Sequence, residues 1–136
     1  MAVGITVGSI TDEIGSAAFV HAFFSTISAH CEPGGWGTRF PHLMRHLYRG
    51  RLPHQHARAA LDELAQAGRV LEQLSPADLV WDIDDRKAAP PWGNDIAPTI
   101  TSLGNYFVSS AGRDVFALLR EALEASSQEQ RDATLG

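Results

Sequence analysis

Asp82, Asp84 and Asp85 stand in the run Val80-Trp81-Asp82-Ile83-Asp84-Asp85, and Asp95 follows in Pro90-Pro91-Trp92-Gly93-Asn94-Asp95. Two carboxylates two residues apart can hold a divalent cation or divide acid and base roles between them. An Asp-x-Asp after an apolar stretch also occurs in nucleotide-sugar transferases, whose fold a chain of 136 residues cannot hold. Recognition of a basic partner outweighs catalysis here. A solvated strand end is the plain alternative.

Six histidines invite a metal reading. His42 and His46 are four apart on one helix face, a spacing that suits two imidazoles on one zinc. Leu43 follows His42, so the glutamate of a His-Glu-x-x-His protease is missing. His54 and His56 flank Gln55 and would diverge by roughly 200° on a helix. No third ligand has the right spacing, so the expectation is exposed helix residues and no metal or cofactor. Cys31 and His30 would point about 100° apart on a helix, which makes a packed thiol and not a nucleophile–base pair. Gly34-Gly35-Trp36-Gly37 has no Lys-Ser/Thr after it and is read as a turn, not a phosphate loop. Trp36 and Trp92 lie in Gly/Pro-rich loops, as loop anchors first and as partner contacts second. Trp81 alternates with Leu79 and Ile83 and is expected in the core.

The elements that must position these residues follow from periodicity. Residues 2–10 read as a strand and 12–15 as a turn. Ser16 caps a helix whose apolar face carries Phe19, Phe23 and Ile27, with His21, Ser25 and Ser28 opposite. It ends before Glu32-Pro33-Gly34-Gly35. Helices are expected from about Arg39 to Arg49 and from Pro53 to about Leu74. Leu79 to Asp84 reads as a second strand, with Trp81 and Ile83 inward and Asp82 and Asp84 outward. Residues 86–100 form a loop, 105–109 a third strand, and 112–125 a last helix capped by Ser110. The tail from Ser126 is expected to fray unless Ala133-Thr134-Leu135 adds an edge strand. The result is one α+β domain over 1–136: a small three- or four-stranded sheet with about four helices packed mainly on one face.

A net charge of −5 gives no basic footprint for nucleic acid. The apolar run 17–29 is too short and too polar to span a membrane. One cysteine and no basic, apolar leader suit a soluble cytoplasmic protein.

The order of several segments resembles the bacterial immunity protein 70 family of polymorphic toxin systems. They are Ile14-Gly15-Ser16, Phe23-Phe24-Ser25-Thr26-Ile27-Ser28 and Gly35-Trp36-Gly37-Thr38-Arg39-Phe40-Pro41. Leu47-Tyr48-Arg49-Gly50, Trp81-Asp82-Ile83-Asp84-Asp85, Pro90-Pro91-Trp92-Gly93, Asn105-Tyr106-Phe107-Val108 and Gly112-Arg113-Asp114 complete the set. The resemblance implies an α+β, non-enzymatic protein that binds and neutralises a cognate toxin domain, with no catalytic residue. Asp82, Asp84, Asp85, Asp95, Trp92 and Trp36 are then the expected partner-binding residues. A small metal-dependent hydrolase using Asp82, Asp84 and a histidine stands as the alternative, with a generic regulatory interaction domain behind it.

Overall fold

The computed structural model describes residues 2–136. β1 (Ala2–Val7) and β2 (Ile10–Ser16) form an antiparallel hairpin. Gly8, at φ 61°, opens the two-residue turn between Val7 and Ile10, a conformation that costs a side-chain-bearing residue more. The turn expected at 12–15 is therefore strand, because the reversal occurs earlier, at Gly8-Ser9. α1 (Ala17–Cys31) starts at Ser16, whose hydroxyl accepts the Phe19 N–H at 3.1 Å. A π-helical segment, His42–Leu47, stands where a short α-helix was expected. β3 (Arg51–Leu52) and α2 (Ala57–Leu71) follow, then a long irregular stretch, then α3 (Val115–Glu129) and β4 (Ala133–Leu135). Asp114, not Ser110, caps α3 by accepting from the Ala117 N–H at 3.0 Å.

The strand order is β2-β1-β4-β3, all antiparallel. Ile5, Val7, Leu52 and Ala133 are buried and face the helices. Thr11, Thr6, Thr134 and Arg51 lie in one paired row across the sheet, polar and largely exposed. Alternation thus separates a helix-covered face from a wet one. α1 is buried continuously from Ala22 to Ser28, so it runs through the middle of the core rather than over it.

Three expectations are corrected. The tail does not fray, and β4 is not an edge: it is an interior strand between β1 and β3. Residues 105–109 reduce to one bridge, Val108 with Asp114. Residues 79–84 form no strand at all.

Candidate functional site

Residues 78–84 leave a 3₁₀ turn at Pro76–Asp78, bend at Trp81 and turn again at 83–84, and they bond to side chains of α1 instead of to a neighbouring strand. Thr26 Oγ1 donates to the Val80 carbonyl at 3.0 Å and accepts the Val80 N–H at 3.2 Å. Ser25 Oγ accepts the Ile83 N–H at 3.2 Å, and His30 Nε2 donates to the Asp78 carbonyl at 2.7 Å. Ser25 and Ser28, read from sequence as lying opposite the helix's apolar face, are almost fully buried, and so is Thr26. The polar stripe of α1 is a clamp for this segment. It also inverts the expected alternation: Val80 is the buried residue, while Leu79, Trp81 and Ile83 are only half-covered. A buried hydroxyl that bonds both ways cannot be dropped without orphaning two backbone groups. Thr26→Val, which keeps the shape, should cost about 1–3 kcal/mol. Hydrogen exchange at the Val80 amide should accelerate selectively; unchanged protection would mean the clamp lies elsewhere.

The clamp carries the acidic group to His21. Asp82 Oδ1 accepts from His21 Nε2 at 3.0 Å and from the Asp84 N–H at 2.9 Å. These two bonds, the backbone one first, hold the Asp82 carboxyl below its ordinary value. The ionised carboxylate only accepts, so Nε2 carries the proton and Nδ1 accepts from Tyr48 Oη at 2.6 Å. Burial first, then the charges of Asp84 and Asp82, push the Tyr48 phenol up, so it is no activated nucleophile. Trp36 completes the group. Its ring stacks on His21 at 6.2 Å and meets Tyr48 edge-on at 4.9 Å. Trp36 Nε1 donates to the Met44 carbonyl at 2.9 Å, which fixes the ring to the π-helical segment.

Asp84 is 86% exposed at its side chain, and its Oδ2 lies 3.9 Å from His21 Nε2. His21, Asp82 and Asp84 offer three ligand atoms within 4.8 Å of one another, among the described residues. A cation there would have to displace the Nε2 proton already given to Asp82. Asp85 is exposed beside them, its Oδ1 accepting the Lys87 N–H at 3.2 Å.

Trp92 and Asp95 are placed in a different setting. The Trp92 ring meets Trp81 edge-on at 5.4 Å, and its Nε1 donates to Tyr106 Oη at 2.9 Å. Trp81, Leu79, Pro90, Ile96 and Tyr106 line a groove of about 470 Å³ on this side. Asp95 lies with Trp92, Phe19 and Val108 around a second, smaller hollow. Trp36, Asp82 and Asp84 are thus brought together, and Trp92 and Asp95 form a separate aromatic cluster. His21 and Tyr48 were missed from sequence. A histidine inside an otherwise apolar helix, in a chain with an acidic run, was the signal for His21.

The sequence model of immunity protein 70 matches residues 5–135. The chain belongs to the immunity protein 70 family. No curated protein and no solved structure matches it. Family membership points to an immunity protein with a protein partner and requires no catalytic step of it. No helix among the described residues of this family member is long and apolar enough to cross a membrane.

Proposed function

We propose that the chain neutralises a cognate bacterial toxin by stoichiometric binding, and that the acidic surface built on residues 82–85 is part of the contact. The observation that carries this reading is the mounting of Asp84 and Asp85. Both carboxylates are exposed, yet the residues just before them are held to a buried helix, Val80 by Thr26, Ile83 by Ser25 and the Asp82 carboxylate by His21. Asp82 in turn accepts the Asp84 and Asp85 N–H groups. Charges that are presented rigidly lose little freedom on association, and they set register and speed encounter with a basic surface. Trp36 at one side, and Trp92 with Asp95 in the neighbouring cluster, add aromatic area of the kind that dominates interface energetics.

The hydrolase reading draws on the proximity of His21, Asp82 and Asp84. It would require protection that turns over, with toxin or its product changed chemically.

The experiment is co-expression with the product of the adjacent gene, followed by co-purification and by reversal of charge in Asp84→Lys/Asp85→Lys. Both side chains are exposed, so the Tm should stay within about 1 °C of the parent, as surface changes usually do. Toxin association should slow by roughly ten-fold or more, with a weaker dependence on salt. Undiminished binding and protection by the double variant would remove the acidic surface from the interface. Absence of any one-to-one complex would remove the immunity reading itself.

A further inference from the structure

We infer that His42, His46 and His56 form a binding site for one zinc ion or a closely related imidazole-seeking divalent metal. Half of the chain's six histidines meet here, from two elements that the sequence separates. His42 and His46 come from the π-helical segment, and His56 closes the short 3₁₀ turn 54–56 that leads into α2. Their ring centres are 4.9 Å apart for His42 and His56, 5.9 Å for His42 and His46, and 6.0 Å for His46 and His56. Three imidazoles on one tetrahedral zinc, bound through nitrogens about 2.0–2.1 Å from the metal, set their ring centres roughly 5 Å apart. The ring centres are spaced for such a site, while the ring nitrogens do not yet converge, so the side chains must turn to close it. His46 and His56 are both exposed, so their side chains can turn to make it.

The orientation of His42 supplies the second, independent observation. Its Nδ1 lies 2.6 Å from Glu63 Oε2, and Glu63 is almost wholly buried. The same carboxylate accepts the Leu43 N–H at 3.0 Å and the His42 N–H at 3.4 Å. An ionised carboxylate fixes the proton on Nδ1 and leaves the Nε2 lone pair for another partner. That is the arrangement in which metal-ligating histidines are held, with tautomer and ring orientation fixed. Local backbone geometry points the same way. The π-helical turn closes with the Tyr48 N–H on the Leu43 carbonyl at 2.9 Å, a five-residue spacing that is rare and frequent at functional sites.

An all-imidazole donor set favours zinc, nickel or copper and disfavours magnesium and calcium, which require oxygen. Three protein ligands leave a fourth position for water or for a donor from a partner. A metal here would tie the 42–47 segment to the start of α2. The site shares no residue with the acidic surface proposed for toxin contact and does not depend on that proposal.

The test is calorimetric titration of zinc chloride into the full chain carrying no polyhistidine tag. One zinc per chain is expected for the parent. His46→Ala and His56→Ala, both exposed positions that should leave the fold intact, should each weaken binding at least about ten-fold, as removal of one of three ligands does by more than loss of an outer partner. Asp84→Ala should leave zinc binding unchanged. No zinc binding by the parent overturns the site. So does binding that survives both histidine variants, and so does binding lost in Asp84→Ala, which would move the metal to His21, Asp82 and Asp84.

Discussion

Replacing Glu32 by alanine should lower stability by about 3 kcal/mol and the Tm by roughly 10 °C. Glu32 follows the last residue of α1 and is 4% exposed. Its Oε1 accepts the Gly37 N–H at 3.0 Å, and its Oε2 accepts the N–H groups of Arg39 at 3.0 Å and Phe40 at 2.9 Å. One carboxylate therefore folds the 32–40 loop around itself and holds Trp36 against His21 and Tyr48. Gly37 is part of the same device. Its φ of 78° is unfavourable for other residues, and a Cβ there would run into the Arg45 side chain. In Glu32→Ala three inward-facing donors lose their acceptor, which burial makes expensive. Glu32→Gln keeps one acceptor oxygen and should lose roughly half as much. Thermal melts of the three proteins check this; a loss under about 1 kcal/mol for alanine would mean that water replaces the carboxylate freely.

The same residue makes stability depend on acid. Burial works to raise the Glu32 carboxyl, but the bonds from Gly37, Phe40 and Arg39 outweigh it and hold the group below its ordinary value of 4.5. A carboxyl depressed in the folded state contributes its full stabilisation above the unfolded value. That contribution is lost as the pH falls from there through the folded value. The stability gap between the parent and Glu32→Gln should therefore be constant near neutrality and close below about pH 4.5.

The three α-helices were legible from their 3.6-residue apolar patterns, with recognisable starts at Ser16 before α1 and Pro53 before the turn into α2, whereas the start of α3 was misplaced at Ser110. The α+β class followed from the same patterns, and the four-stranded sheet agrees in number, but only β1 and β4 are strands that the sequence offered. What failed did so for two reasons. Val80 to Asp84 has the alternation of a strand, but alternation reports only an extended backbone with two sides. It does not say whether the backbone bonds go to a strand or, as here, to Ser25 and Thr26 of a helix. For that reason the α1 hydroxyls looked like a wet face when they were the clamp. The second reason is distance along the chain. His21 meets Asp82 and Tyr48, and His56 meets His42, through contacts between segments that no local spacing encodes. The acidic run, Trp36 and Trp92 were legible as unusual residues, but that Trp36 joins the acids while Trp92 and Asp95 sit elsewhere was not.

Distance along the chain also governs the largest effect expected. A chain ending at Arg131 should fail to fold cooperatively, although it lacks only five residues of a polar-looking tail. Those residues supply the strand between β1 and β3, so β1 loses a partner along one whole edge and the two-residue β3 loses its only one. Ala133, fully buried, leaves the core. Asp132 goes with it. Its carboxylate accepts from Arg51 Nη2 at 2.6 Å and Nε at 2.9 Å, and from the His54 N–H at 2.8 Å and Nδ1 at 3.1 Å. The His54 backbone bond first, and then Arg51, hold that carboxyl down to about 2, so it stays charged and bonded through the whole physiological range. Removing a central strand strands ladder donors on both sides, each costing about 1–3 kcal/mol where water cannot reach. A domain of this size has only about 5–15 kcal/mol of net stability, and the summed loss reaches that scale. Far-UV circular dichroism and urea titration of the truncated chain should show no cooperative transition. A cooperative melt within a few degrees of the parent would mean that β1 and β3 hold without the strand between them, and that the chain's end is an accessory after all.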